Sequence, residues 1–526
     1  MQGANTDKAP TPGVVVPHYV AATGGFLILG ILLILFRQDL LGHYFHPHLF
    51  ALTHLAVLGW MTMLIIGALY QLVPVILNTP LYSEPLAKWT FWVFLVGILG
   101  LSISFGAGLF NLWIPIFATI TYAGILLFSY NIIKSINGAS TLNSSAQFVI
   151  AAIFWLFLTA TFGLMMAFNL STNYLGSQNA AFLKVHIHLG LIGWFLQLVV
   201  GVSTTLLPMF FVSHAQTDKK LKIAFYLLNL GLVVLSLNWL TISARILLTV
   251  SWLLIIGGLG FYVSYVYESY QKRVRKLDIG MKVSVLAFPA LILPLALSIY
   301  VIFSGSGRLD ILYVFAAITV FFFPMILGQT YKTLPFIIWL DRYQKFVGKQ
   351  KVPMPGDLFS EKIARLHMWT YGAGLALILV GIGLRQKTIL LTGGLFFLAT
   401  AILYAANIIK MVRHQTTLGE AEEADNSIEK DIWEVLREVI DPELNVNIVD
   451  MGLIYDLNVD EAAKKVNIKM TLSTPSCPVG DTIVMNVMEA VMGRYPDYEP
   501  DVHLVFDPPW TPEMITEAGK AQLAAG

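Results

Sequence analysis

Cysteine and charge are both scarce in this chain. Cys477 is the single cysteine among 526 residues, and Asp, Glu, Lys and Arg together make up 12%. One cysteine excludes an intramolecular disulfide and a cysteine-rich structural zinc site. Hydrophobic residues make up 56%, which is more than a soluble chain of this length could hide from water. Apolar runs of about 20 residues recur, each long enough to cross a bilayer as a helix. We therefore expect the lipid bilayer to be one partner of this protein.

The charged residues divide the chain into two parts. Residues 1–413 hold 26 Lys and Arg against 10 Asp and Glu, whereas residues 414–526 hold 7 against 22. The formal charges are thus +16 and −15. We predict an all-α polytopic membrane domain over 1–413, an acidic linker over 414–427 and a small α/β domain over 428–526. Because the basic residues lie between spans and the small domain is acidic, nothing indicates nucleic-acid binding.

Twelve membrane helices are predicted, with the bounds 19–37, 49–76, 87–109, 113–134, 146–169, 182–211, 222–242, 244–267, 281–304, 309–336, 362–384 and 388–412. An even number of spans puts both termini on one side. The N-terminus and the even-numbered loops carry 20 of the 26 basic residues. The positive-inside rule then places both termini, and the acidic domain, in the cytoplasm. The predicted location is the inner membrane of a bacterium.

A motif that begins at a histidine occurs twice at identical spacing. The first copy is His54, Gly59-Trp60, Gly67 and Pro74, and the second is His188, Gly193-Trp194, Gly201 and Pro208. A third copy keeps Gly328 and Pro335 but has Phe315 in place of the histidine. The copies fall in the second, sixth and tenth spans, which predicts three four-helix repeats. The prolines are expected to end or kink their helices.

Two imidazoles at matching depth in repeated spans indicate a binding site, because polar groups are costly inside a bilayer. A neutral imidazole is a good ligand for haem iron and for copper. We therefore predict that His54 and His188 hold haem b or copper, with His186 as a supporting residue. The alternative is that each histidine only hydrogen-bonds helix backbone or water.

These features distantly resemble the catalytic subunit of the haem–copper oxidase superfamily, including its nitric-oxide-reductase and C-type branches, over about residues 1–413. In that family the histidine that matches His54 is a haem ligand and the one that matches His188 is a copper ligand. The family's further histidines in the seventh and tenth spans are missing here, so a complete terminal oxidase or nitric oxide reductase is not expected. The two histidines are also similar to those of NnrS-type membrane proteins. A transporter or channel on this scaffold is the alternative function, and enzymatic activity stays open.

The acidic C-terminal region has the pattern of a small α/β domain. The predicted elements are a helix over Glu429–Ile440, strands over Ile448–Leu457 and Val466–Leu472, a helix over 479–493, and a strand over Val502–Phe506. Cys477 lies between a strand and a helix, with Pro478 at the first helical position. Unpaired N–H groups and the helix dipole at such a position would stabilise a thiolate.

Four motifs in this region resemble the SufT/PaaD-type domain of iron–sulfur cluster assembly. They are Asp441-Pro-Glu443-Leu, Ile448-Val-Asp450-Met-Gly452, Met470-Thr-Leu-Ser-Thr-Pro-Ser-Cys477-Pro478 and Asp507-Pro-Pro-Trp510. The resemblance implies cluster maturation or transfer, with Cys477 as the functional thiol and metal ligand and with Asp441 and Glu443 in support. Since clusters are commonly held by four ligands, one cysteine can bind a cluster only transiently and together with another chain.

The sequence as a whole predicts a membrane-anchored factor for the assembly or transfer of iron–sulfur clusters. Its implied partners are the assembly machinery or apo client proteins. Whether the chain forms a homo-oligomer is open.

Overall fold

The structure is a computed structural model that describes residues 8–77, 79–139, 142–211, 213, 218–273, 276–304, 309–346, 352–415, 427–441, 446–473 and 480–525. Twelve helices in it are long and apolar enough to cross a membrane. They are α1 Pro12–Leu35, α2 Pro47–Leu77, α3 Glu84–Gly106, α4 Trp113–Asn137, α5 Ser144–Thr172, α6 Gly176–Phe211, α7 Lys219–Ile242, α8 Arg245–Gln271, α9 Ile279–Ile302, α10 Asp310–Arg342, α11 Glu361–Leu384 and α12 Lys387–Val412. The chain is thus a multi-pass membrane protein, with the twelve spans that its sequence predicts.

The first helix begins earlier than expected. It starts at Pro12 rather than at residue 19, and it contains Pro17. Pro12 occupies the first helical position, where a missing N–H has no cost because that group would be unpaired in any helix. Pro17 removes one further bond near the helix start, and the helix continues through it. Residues 12–18 were not predicted as part of the helix because the beginning of the chain is polar and rich in proline.

The repeated spans share a local distortion. Helix α2 changes from α to π geometry over Leu55–Thr62, directly after His54. Helix α6 does so over Leu189–Leu196, directly after His188. Helix α10 contains the corresponding segment Ile318–Phe322, three residues after Phe315. Short π segments inside α-helices often occur at functional sites, and here they recur at matching places in all three copies.

The second glycine of each motif is a point of close helix contact. A β-carbon at Gly67 would lie 2.6 Å from the β-carbon of His18 in α1, and one at Gly201 would lie 2.9 Å from the β-carbon of Phe148 in α5. Gly328 lies similarly close to Ser284 in α9. Small residues let membrane helices approach one another closely. The glycine thus packs the second helix of each unit against the first, as a four-helix repeat requires.

The first and third units also share a polar clamp at the ends of their third and fourth helices. Ser83 caps the start of α3, and Asn131 of α4 accepts its backbone N–H at 3.1 Å and donates to its carbonyl at 2.8 Å. Ser360 caps α11, and Asn407 of α12 makes the same two bonds at 3.0 and 3.1 Å. The described part of the chain therefore supports the repeat at two independent places.

By its internal contacts the chain divides into two compact units. One comprises residues 9–333 and 360–409, and the other comprises residues 1–8, 334–359 and 410–526. The C-terminal part of the second unit contains α13 Ser427–Arg437, β1 Ile454–Asp460, β2 Lys465–Met470, α14 Gly480–Arg494, β3 Glu499–Leu504 and α15 Glu517–Ala525. This is the small α/β domain that the sequence predicts.

The three strands form one sheet in the order β1-β2-β3. Strands β1 and β2 are antiparallel, with Leu457 opposite Ile468. Strands β2 and β3 are parallel, with Ile468 opposite Val502, and α14 lies between them in the chain. The buried core of the domain includes Ile432, Leu436, Leu457, Ile468, Ile483 and Val487. Helices α13 and α14 and strands β1 and β2 thus supply one continuous apolar centre.

The predicted strand over Ile448–Leu457 is wrong in its first half. The segment before Ile454 is a turn, and Gly452 within it has φ of 68°. The apolar side chains of this turn, including Ile448, are buried in the domain core, which explains why the segment reads as a strand. A short run of buried residues does not by itself distinguish a strand from a buried turn.

Candidate functional sites

Three of the four histidines in the second and sixth spans, His54, His186 and His188, each place Nδ1 against a backbone carbonyl. The Nδ1 atom of His54 lies 2.8 Å from the carbonyl of Phe50, and that of His188 lies 2.8 Å from the carbonyl of Lys184. The Nδ1 atom of His186 lies 2.8 Å from the carbonyl of Thr159 in α5. A carbonyl only accepts, so each Nδ1 carries the proton and each Nε2 keeps its lone pair. Metal-binding histidines typically donate their second nitrogen in this way.

His54 lies beside His186 rather than beside His188. The rings of His54 and His186 have centres 6.3 Å apart and planes inclined by 26°. The His54 ring also stacks on Phe105, with ring centres 5.1 Å apart. Two imidazoles on opposite sides of one metal ion have ring centres about 6 Å apart, because each metal–nitrogen bond is about 2.0 Å long. The separation of this pair is therefore suitable for a shared ion.

His188 has a different neighbour. Its Nε2 atom is 3.2 Å from the hydroxyl of Tyr313 in α10, and its ring packs against Trp239 of α7 with centres 4.7 Å apart. Since Nε2 is the acceptor, the tyrosine hydroxyl donates this bond. The lone pair of His188 is thus engaged by a neutral group in the protein, whereas His54 and His186 have no such donor at Nε2 among the described residues.

The repeat explains both pairs. His186 stands two residues before the motif histidine of the second copy, and Tyr313 stands two residues before Phe315 of the third copy. In each pair the motif histidine of one copy meets the residue two positions before the motif position of the next copy. The prediction that His54 and His188 bind a cofactor stays a prediction. The role of Tyr313 was missed, and aligning the third copy by its register would have revealed it.

All four of these side chains border one cavity of about 810 Å³ inside the membrane body. Its walls are mostly apolar and include Phe105, Phe195 and Phe322. The volume is within the range of sites that hold a cofactor-sized molecule. An apolar cavity with a few nitrogen and hydroxyl groups at one place can bind a planar, largely apolar ligand and hold one of its polar or metal atoms.

Asp450 is the polar centre of the C-terminal domain. Its buried carboxylate accepts hydrogen bonds from Arg437 of α13 at 2.9 Å, from Asn447 at 2.6 Å and from Thr516 at 2.9 Å. Burial alone would raise the pKa of Asp450, but these three hydrogen bonds outweigh it and hold the pKa below its ordinary value. The carboxylate is thus ionised and joins three separate segments of the domain.

Two of the sequence motifs meet next to this centre. The indole of Trp510 donates to the carbonyl of Met451 at 2.7 Å, and the hydroxyl of Tyr455 donates to the carbonyl of Pro508 at 3.1 Å. Gly452 has a left-handed backbone, and a β-carbon there would collide with the carbonyl oxygen of Met514. The motif residues of 448–455 and 507–510 therefore form one packed structure.

Asp441 is hydrogen-bonded to the residue where the described chain resumes. It is buried, and its backbone N–H donates to the carbonyl of Val446 at 2.9 Å. The predicted supporting role of Asp441 stays a prediction. Glu443 lies outside the described residues.

Cys477 and Pro478 also lie outside the described residues, so their predicted roles rest on the sequence. The chain on both sides of this segment is described. Leu472 follows β2 and Gly480 begins α14, and a β-carbon at Gly480 would lie 2.6 Å from Leu472 Cδ1. The described chain thus leaves the sheet and enters the helix at neighbouring points.

Comparison with known proteins identifies the C-terminal domain. Residues 429–499 match the family of the iron–sulfur cluster assembly protein. Over 99 residues the chain is 35% identical to the Fe-S protein maturation auxiliary factor YitW of Bacillus subtilis, which covers 19% of this chain and 96% of that protein. Through this domain, the chain belongs to the iron–sulfur cluster assembly family. It is also 38% identical over 86 residues to the Fe-S protein maturation auxiliary factor SufT of Staphylococcus aureus, covering 16% of this chain and 96% of the relative.

The membrane body gives a weaker comparison. A haem–copper terminal oxidase dimer solved by cryo-electron microscopy aligns with 80% of this chain and 89% of its own, at 12% identity and a TM-score of 0.49. These values carry no argument about the chemistry of the membrane body. Its architecture rests on its own helices and repeats, and the family assignment rests on the C-terminal domain.

Proposed function

We propose that this protein is a membrane-anchored factor for the assembly or transfer of iron–sulfur clusters. The observation that carries the proposal is the packing of the family's motif segments around Asp450 and Gly452 in a domain attached to twelve membrane helices. Relatives matched over 96% of their own length are Fe-S protein maturation auxiliary factors. The partners would be the assembly machinery or apo client proteins.

In this proposal Cys477 is the thiol that binds the cluster as cargo. A single thiolate supplies one of the four ligands that a cluster commonly needs. The others must come from a client, an assembly protein or a second copy of the chain. A cluster held by so few ligands of one protein is readily released, which suits transfer rather than storage.

The full-length chain tests this role. Purified without oxygen and supplied with Fe²⁺ and sulfide, the wild-type protein should acquire the visible absorption of a cluster and pass it to an apo iron–sulfur enzyme, restoring that enzyme's activity. Cys477→Ser should do neither, while the neighbouring Ser476→Ala should do both. Equal transfer by Cys477→Ser and the wild type would contradict the proposal.

We place the N- and C-termini in the cytoplasm of a bacterium, because the basic residues concentrate in the corresponding loops. The single cysteine allows a direct test. A membrane-impermeant maleimide should label Cys477 only after intact cells are permeabilised. In a Cys477→Ser background, a cysteine introduced by His43→Cys between α1 and α2 should be labelled in intact cells. The opposite pattern would reverse the topology.

We further propose that the membrane cavity holds haem b or copper at the His54–His186 pair, with His188 close by. The Nε2 lone pairs, the backbone acceptors at Nδ1 and the apolar walls fit such a group. When bound, haem or copper would supply one-electron chemistry. The residues of this chain would orient the imidazoles, keep their lone pairs free and exclude water.

A visible spectrum and a metal count of the detergent-solubilised chain test this second proposal. Wild type should show haem absorption or about one copper per chain. His54→Gln and His186→Gln should lose most of it, whereas His503→Gln in the C-terminal domain should not change it. Neither haem nor copper in wild-type protein made with both available would refute it.

A further inference from the structure

Three potential metal ligands, Asp39, His46 and His48, lie together where α2 begins, apart from the cavity histidines. Asp39 accepts a hydrogen bond from His48 Nδ1 on its Oδ2 atom at 2.7 Å. Its other oxygen, Oδ1, is 3.9 Å from His46 Nε2. One ligand atom from each of the three residues lies within 4.8 Å of the others. In the described part of the chain, this is the one group of three or more such residues at that separation.

Regular backbone structure fixes the positions of these residues in two neighbouring segments. Asp39 opens a short 3₁₀ turn over Asp39–Leu41, and the guanidinium of Arg385 donates to the carbonyl of Leu41. His46 is the N-cap of α2, and the proline after it occupies the first helical position. The relative positions of the carboxylate and the imidazoles are therefore set before any ligand binds.

The His48 ring is fixed further by an aromatic contact. It stacks on Phe36, the residue that ends α1, with centres 3.9 Å apart and planes inclined by 8°. All three ligand residues are partly exposed, with 39% of the His46 side chain, 33% of His48 and 26% of Asp39 accessible. A small ion can therefore reach the group without any opening of the helices.

We propose that Asp39, His46 and His48 bind a divalent first-row transition-metal ion such as Fe²⁺ or Zn²⁺. Two imidazoles and one carboxylate suit these ions, whereas Ca²⁺ and Mg²⁺ prefer oxygen ligands alone. The ion would take the place of the proton between His48 Nδ1 and Asp39, and the neutral imidazole would then carry its proton on Nε2. The ligands of a bound ion lie about 3 Å apart, so the side chains need only a small rotation to close on it. Three protein ligands leave positions open for water or substrate.

Co²⁺ is the probe for the test, because its visible bands report bound nitrogen and oxygen ligands. Metal-free full-length chain in detergent should bind one more Co²⁺ than Asp39→Asn, whose carboxamide keeps the shape and can still accept from His48. His46→Gln should weaken this binding by at least about tenfold. His43→Gln, in the same loop but outside the group, should bind as the wild type does.

Two further measurements distinguish this metal site from the cavity histidines and from a purely structural hydrogen bond. A His54→Gln/His188→Gln double variant should keep the Co²⁺ site, so it does not depend on the cavity. Co²⁺ should raise the melting temperature of the wild type and of His43→Gln but not of Asp39→Asn. If Asp39→Asn melts earlier yet binds Co²⁺ and gains stability from it as the wild type does, the group is a structural hydrogen bond and the proposal is wrong.

Discussion

The membrane body and the C-terminal domain use the polar side chains of their interiors in opposite ways. In the membrane body, His54 and His186 use one nitrogen to bond a backbone carbonyl and keep the other nitrogen free beside a cavity. In the domain, the carboxylate of Asp450 accepts hydrogen bonds from donors in three segments. Groups with a free atom are available to a ligand, whereas fully bonded groups hold segments together. The motif residues described in the domain therefore support its structure, and the proposed cluster chemistry rests on Cys477, which lies outside the described residues.

The largest effect should come from replacing Gly452 in the C-terminal domain. Gly452→Ala combines a left-handed backbone with a collision at the Met514 carbonyl, and should lower the free energy of unfolding of the domain by about 3 kcal/mol or more. Hydrogen exchange of peptides from β2 in the full-length chain measures it. Gly493→Ala, at an open helical position, is the control and should be neutral or slightly stabilising. Equal exchange in both variants would contradict the close contact.

Asp450 should come next. Asp450→Asn removes the charge that Arg437 bonds, at a cost of roughly 2–4 kcal/mol to the domain. The pKa of Asp450 is lowered in the folded state, so its contribution is present above the unfolded pKa of about 3.9 and is lost as pH falls through the folded pKa. The wild-type domain should lose stability over that acid range more steeply than the variant. Asp501→Asn, at an exposed strand position, should show the same stability and pH dependence as the wild type. If it loses as much stability as Asp450→Asn does, the loss comes from the change in net charge and not from the hydrogen bonds of Asp450.

The repeat predicts a smaller effect in the membrane body. Gly201→Leu forces a side chain against Phe148 of α5 and should cost roughly 1–3 kcal/mol, seen as a lower melting temperature in detergent. Gly260→Leu places the same side chain at an exposed position in α8 with open space around it. It should melt as the wild type does. If the melting temperature falls equally in the two variants, the close helix contact at the repeated glycine contributes no more to stability than an exposed helix position does.

The smallest effect concerns the hydroxyl that engages His188. Tyr313→Phe removes one neutral hydrogen bond and should raise the rate at which diethyl pyrocarbonate modifies His188 by roughly two- to tenfold. Mass spectrometry of the modified peptides measures this rate. Tyr122→Phe, which removes a hydrogen bond from another cavity tyrosine, should leave His188 unchanged. A constant rate in Tyr313→Phe would place the proton of His188 differently from the arrangement described here.

Much of this architecture is visible in the sequence because membrane spans and repeats leave strong patterns. The twelve spans follow from apolar runs of the right length, and the four-helix period follows from the spacing of His54 and His188. The pairing of His54 with His186 does not follow, because it depends on how two separate helices face each other. The π segments leave no periodic signal in so short a stretch.

In the C-terminal domain too, contacts between residues that are distant in the chain do not follow from the sequence. Helices α13 and α14 and strand β2 are close to their predicted bounds, and α15 was not predicted. The turn before Ile454 was predicted as a strand because its side chains are apolar and buried. The motif around Asp450 marks a family, yet only the three-dimensional structure reveals that Arg437 and Thr516 meet there. Local composition indicates burial, and contacts between distant residues decide what a polar group does.

The π segments have a consequence for insertions and deletions of single residues in these spans. In an α-helix each residue turns the chain by about 100°, while a π segment is wound more loosely. The stretch Leu55–Thr62 therefore sets the rotational phase between His54 on one side of it and Gly67 on the other. Deleting one residue from this stretch would turn the histidine away from its present direction while the glycine kept its contact with α1. A single deletion would thus turn the histidine together with the whole segment Pro47–His54 relative to the rest of α2.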